Sequence, residues 1–143
     1  MAVAAHVSRV AKEYAPHGYS IMEDVTYAIT NATAAGSQRL GYVEDAGIYV
    51  ESAQLFITSG AADGSNTLGF ELQYADNDGS YTSATDIVAV VQTSTLANNV
   101  ANNLTIVGAV VPSDKILSAV WSAETGTAVP AGMFLKLRIR RKA

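Results

Sequence analysis

The chain has no cysteine in its 143 residues. Disulfides, thiolate metal sites and Cys/His catalysis are therefore excluded, and the redox compartment leaves no trace in the sequence. Histidine is almost as scarce. His6 and His17 are the only two, with no i, i+4 pairing and no carboxylate motif beside them. A metal pair needs ligands held at fixed distance by supporting groups, and nothing here supplies that. No Gly-x-Ser-x-Gly, phosphate-loop or dinucleotide fingerprint is present. Charged residues make up only 15%, against about a quarter in an ordinary soluble domain. Basic stretches interleaved with aromatics, on which bases stack, are missing too. With a pI near 5.0, that makes nucleic acid a poor partner. No apolar run reaches the ~18 residues of a membrane span; the longest, Ile87–Val91 and Ile106–Val111, are strand-sized. The expectation is no cofactor, no metal, no membrane and no enzyme, although paired carboxylates drawn from Glu23, Glu51 or Glu71 in a cleft remain open.

What is present is a β pattern in a chain that is 49% hydrophobic, with a mean hydropathy of +0.17. Such a chain buries a core rather than staying disordered, and its length suits one domain. The start lacks a basic stretch before an apolar core, so no secretion signal is expected. The acceptor-like Asn31-Ala32-Thr33 and Asn103-Leu104-Thr105 then read as chance matches.

Residues 1–18 form a separate N-terminal arm. Val3, Val7, Val10 and Tyr14 recur at helical spacing, but Pro16-His17-Gly18 ends the segment. It is an arm that orders against a neighbour or the body; the alternative is a frayed terminus. Residues 19–143 are the β-sandwich domain. Ile21, Val25, Tyr27 and Ile29 share one parity. Gln38–Val43 is a short strand, and Ile48–Thr58 changes parity near Ser52, which predicts a bulge. Thr67–Ala75 alternates, with Leu68, Phe70, Leu72 and Tyr74 inward. Asp86–Thr93 and Leu104–Val111 are so rich in β-branched residues that they read as strands buried on both faces. Ile116–Ala123 follows. Pro130-Ala131-Gly132 reads as a type I turn feeding the last strand, Met133–Arg140. About eight strands with turn-rich joints are the signature of an antiparallel sandwich or barrel.

Charge is distributed unevenly along this fold. The last eight residues, Lys136 to Ala143, hold five of the nine Lys and Arg, for a charge of +5. The first 135 hold the other four against all thirteen Asp and Glu, for −9. As a strand, the end puts Leu135, Leu137 and Ile139 on one face and Lys136, Arg138 and Arg140 on the other. Those three cations have three readings: phosphate binding, an acidic partner surface, or internal pairing with Glu51, Glu71 or another carboxylate on a flanking strand. Tyr14 and Tyr19 join them as candidate partner contacts, since half-buried tyrosines are common at interfaces. Tyr27 and Tyr74 read instead as core-edge tyrosines. Asp76-Asn77-Asp78-Gly79-Ser80 resembles the opening of a calcium loop, but Tyr81 and Ile87 stand where such a loop needs Gly and Glu. It reads as a hairpin turn.

Two stretches carry a family resemblance. Leu72-Gln73-Tyr74-Ala75-Asp76-Asn77-Asp78-Gly79-Ser80-Tyr81-Thr82 leads into an Ala/Thr/Asn-rich β stretch, and the chain closes with Gly126-Thr127-Ala128-Val129-Pro130-Ala131-Gly132 and Met133-Phe134-Leu135-Lys136-Leu137. In this the chain from Ala53 onward is similar to the small virion structural proteins of tailed bacteriophages, especially capsid decoration or cement proteins. The resemblance implies a jelly-roll-like sandwich and a homotrimer. It also implies a place on the capsid surface at junctions of the major capsid protein, after assembly in the host cytoplasm. The competing expectation is a carbohydrate-binding or adhesin-type module of a fibre, for which one Trp and scattered Tyr offer little of the usual aromatic platform.

Overall fold

Short alternating apolar segments separated by Gly, Asn and Asp have little choice but to pair as antiparallel strands. The computed structural model describes residues 22–30, 36–44, 46–61, 68–122 and 130–142. In chain order the strands are β1 (Glu23–Ile29), β2 (Gly36–Val43), β3 (Ile48–Ser59), β4 (Gly69–Asp76), β5 (Thr85–Gln92), β6 (Ala101–Leu104), β7 (Val110–Val111), β8 (Lys115–Trp121) and β9 (Ala131–Arg141). Among the described residues the helical content is one 3-10 turn, Thr93–Thr95. The arm, with Tyr14 and Tyr19, lies outside the described residues.

Two antiparallel sheets result. The first runs β1-β9-β3-β6, with β7 also on β3; the second runs β2-β8-β4-β5. β6 meets β3 at Ala53–Phe56 and β7 meets it at Ile48–Tyr49, so these two short strands fill one edge position. By position there are two four-stranded sheets, and the chain changes sheet at every connection except β4 to β5 and β6 to β7. That strand order is the jelly-roll form of the antiparallel sandwich, as expected.

The core forms where the two inner faces meet. From the first sheet come Val50, Ala53, Leu55, Ile57, Met133, Leu135, Leu137 and Ile139; from the second, Phe70, Leu72, Ile87, Val88, Leu117, Ala119 and Trp121, all buried. The predicted bulge is present: register slips between Val50 and Ser52, which moves the inward set from Ile48 and Val50 to Ala53, Leu55 and Ile57. Tyr27 and Tyr74 pack half-buried against the core. Asp76–Ser80 does open the hairpin from β4 to β5. There Asp78 accepts hydrogen bonds from the Ser80 amide and the Thr82 hydroxyl.

Three expectations need correction. Leu104–Val111 is not one doubly buried strand. β6 ends at Leu104, Ile106 makes an isolated bridge to Val88, and Val107 and Val110 are 58% and 56% exposed. This segment crosses between the sheets, with the amides of Val107 and Gly108 donating to Ile87 O, so only part of it meets the core. β5 is a strand but an edge strand, with Ile87 and Val88 buried and Val90 58% exposed. Finally, Ala131 and Gly132 already belong to β9, paired alongside Ile57–Ser59. The positive φ of Gly132, +63°, kinks the strand rather than closing a turn before it.

Candidate functional site

Register decides which side chains meet on the outer face of the first sheet. Successive rows across β1, β9 and β3 read Ala28–Phe134–Phe56, Thr26–Lys136–Gln54 and Asp24–Arg138–Ser52. β6 extends the first row with Ala101 and the second with Asn103. One row is therefore apolar from edge to edge, and the next two are polar and charged.

The cations of these rows are paired within the sheet, two of them on one carboxylate. Arg138 Nε lies 2.9 Å from Asp24 Oδ1, and its Nη2 lies 3.4 Å from Oδ2. Lys136 Nζ sits 3.5 Å from the same carboxylate. Arg140 Nε reaches Glu51 Oε1 at 2.5 Å, and Arg141 reaches Glu23 at 2.6 Å. The hydrogen bond from Arg138 holds the Asp24 carboxyl below its usual range, and Asp24 in turn raises the Arg138 guanidinium. Internal pairing, one of the three readings of the basic strand, is present in the fold. Glu51 is one partner, Glu71 is not, and Asp24 on β1 takes two cations at once. Ser52, Gln54, Lys136 and Arg138 line a recess of about 180 Å³.

The apolar row is the feature that sequence reasoning misses. Phe134 is 43% exposed, and Phe56, beside it, is half-buried. A signal for it exists: Phe134 shares the parity of Lys136 and Arg138, and Phe56 that of Gln54, so both are large aromatics on the solvent side.

The second sheet carries a different surface. Arg39 Nη1 donates to Ser37 Oγ at 2.9 Å and to the buried Ser118 Oγ at 3.0 Å. The guanidinium stacks 3.7 Å from the centroid of the Tyr81 ring. With Asp76, Asn77 and Ile116, these two residues line a cleft of about 440 Å³. Lys115 pairs with Asp76, which raises the Lys115 ammonium. The Tyr42 hydroxyl donates to Asp114 at 2.7 Å; this lowers Asp114 and raises Tyr42. Farther along the face Gln73 donates to Asp86 at 3.1 Å. Burial, with Asp86 as a second cause, pushes the Glu71 carboxyl up. Glu23, Glu51 and Glu71 do not come together: two are in separate ion pairs on the first sheet and the third is on the second. Among the described residues no group of three or more His, Asp or Glu is placed to hold a metal ion.

The described outer faces of the two-sheet jelly roll thus carry ion pairs within each sheet and, on the first sheet, one apolar row. No protein-family model matches the chain, and no curated protein does. Among solved structures it is similar to a chain in the structure of infectious bursal disease virus, Gx strain, at 14% identity and a TM-score of 0.40. The match covers 87% of this chain and 33% of that one, so this chain spans a third of its neighbour's length. A likeness at that level carries no functional conclusion.

Proposed function

We propose that the chain is a non-enzymatic structural protein of a tailed-bacteriophage virion, a decoration or cement protein that binds the major capsid protein shell at capsomer junctions. The observation that carries this reading is the apolar row Ala28–Phe134–Phe56–Ala101, fixed on a rigid sheet beside charges already satisfied at home. Such a row is shaped to lose water against another surface, and aromatic anchors within it would supply most of the binding energy. The virion setting comes from the family resemblance, and the jelly roll is a frequent architecture of capsid proteins. The resemblance also implies a homotrimer, in which modest contacts per chain add as avidity. Residues 1–18 would extend the footprint by ordering on the shell.

The test is co-sedimentation of the purified protein with shells of the source particle. Phe134→Asp should cut shell occupancy about tenfold or more with the melting temperature nearly unchanged, because the side chain points away from the core. The competing reading, a glycan-binding module, would use the 440 Å³ cleft at Arg39 and Tyr81. One face of that ring is already covered by Arg39. Retardation by polysaccharide in native gels, lost in Tyr81→Ala and absent with shells, would favour it instead.

A further inference from the structure

A sandwich of this kind has four edges, and three of the four are blocked. The β2 edge is broken by a register shift between Arg39 and Gly41. The β5 edge carries two register shifts against β4 and is capped where the amides of Val107 and Gly108 donate to Ile87 O. The fourth position of the first sheet is split between four-residue β6 and two-residue β7. Bulges, short strands and covering segments are the devices that stop edges from pairing.

Among the described residues, β1 has none of them. Its register against β9 runs unbroken from Glu23↔Ile139 to Ile29↔Met133, with no proline and no lysine. One end is closed by a side chain: Gln38 Nε2 donates to Ala28 O at 2.7 Å and Gln38 Oε1 accepts from Thr30 N at 3.0 Å. Those contacts also fix which backbone groups face outward. Residues of even number point away from β9, so the N–H and C=O of Asp24 and Thr26 lie on the open edge.

We infer that this edge pairs with β1 of a second copy of the chain, antiparallel about a two-fold axis at Val25. Every position then meets a compatible one. Asp24 stands opposite Thr26 of the second copy and exchanges both backbone hydrogen bonds with it, four in all across the axis. Val25 meets Val25, and the pairing ends before Ala28, whose carbonyl Gln38 already holds. The two Asp24 carboxylates are only diagonal neighbours, each already neutralised by Arg138 and Lys136. An isologous contact closes on itself, and it joins the two first sheets into one continuous sheet of eight strand positions. The inference stands apart from the virion reading and from the three-fold contact the resemblance implies.

The test uses the full chain and its lack of cysteine. Val25 and its symmetry mate form a non-hydrogen-bonded pair, with Cα atoms about 4.5 Å apart, inside the disulfide range. Val25→Cys should therefore cross-link under mild oxidation at least ~10-fold faster than Ala28→Cys. Ala28 is the more exposed of the two, but its symmetry mate would lie about 20 Å away, six residues along the strand. Thr26→Pro removes an amide that faces outward and spares the β9 ladder. It should remove the two-fold step of self-association in sedimentation, leaving any three-fold assembly in place, with an unchanged far-UV spectrum. Equal cross-linking of the two cysteine variants, or Val25→Cys cross-linking that survives when Thr26→Pro is added, would overturn the pairing. Neither result would touch shell binding by the Phe134 row. Should Thr26→Pro fail to fold, the cysteine comparison alone decides.

Discussion

Gly132 sits within β9 at φ +63°, where an added Cβ would collide with the Thr58 hydroxyl oxygen. That hydroxyl already donates to Gly132 O at 3.0 Å. Gly132→Ala should therefore lower stability by about 1–2 kcal/mol from backbone strain alone, and more from the clash. At Gly41 an added Cβ would meet nothing within 4 Å, and φ is not positive, so Gly41→Ala should be neutral or slightly stabilising. Denaturant midpoints of the two variants check this. Glu71 gives a pH signature. Burial raises its folded pKa above the unfolded value, so the folded state binds more protons between the two, and stability falls as pH rises through that window. Glu71→Gln should melt higher than the parent at pH 7, and the difference should vanish below pH 4.5, the ordinary Glu value, where both side chains are neutral. Asp24, Asp78 and Asp114 act in the opposite sense. Their lowered pKa values mean stability that is present above the unfolded value and lost as pH drops through the folded one.

At the level of elements, β9 is the strand on which most depends, since it is paired on both sides by β1 and β3. Reversing Lys136, Arg138 and Arg140 together to Glu would set three new carboxylates beside Asp24 and Glu51. The two pairs on Asp24 are exposed and worth about 0–1 kcal/mol each, while Arg140–Glu51 is partly buried, so the cost combines its loss with the new repulsion. The melting temperature should drop by several degrees, and added salt should recover part of it. No salt-dependent drop would mean that the pairs do not persist in solution. The inward set Leu135, Leu137, Ile139 is legible in sequence because strand periodicity needs no knowledge of neighbours. The ion-pair partners are not, because they depend on the register of β1 and β3, which are distant in the chain. The same limit explains the misread segment after Leu104. Its β-branched residues promise burial, but whether a strand lies in the middle or at the edge of a sheet is a property of topology. The bulge near Ser52 is visible because a parity change within one strand is a local signal.

For the whole molecule, the order of strands rather than their number defines the fold, and strand order cannot be read from periodicity; the resemblance supplies that expectation. The unevenness of charge along the chain is reduced in three dimensions. Four cations of the C-terminal strand share three carboxylates of β1 and β3, and the row beside them is apolar. The proposed shell contact therefore falls on Phe134 and Phe56 before the basic residues. Deleting residues 1–18 should leave the sandwich folded, because Pro16 and Gly18 separate the arm from the strand pattern that follows, while weakening the proposed attachment to the shell. Failure of the truncated chain to fold would place the arm in the core. The most direct measurement is electron microscopy of the source virion beside particles lacking this chain. A decoration role predicts sandwich-sized density on the outer shell at capsomer junctions, with the β1-β9-β3-β6 face turned toward the capsid and the density gone from the deletion particle. Density confined to tail or fibre, or identical shells in the two particles, would contradict it.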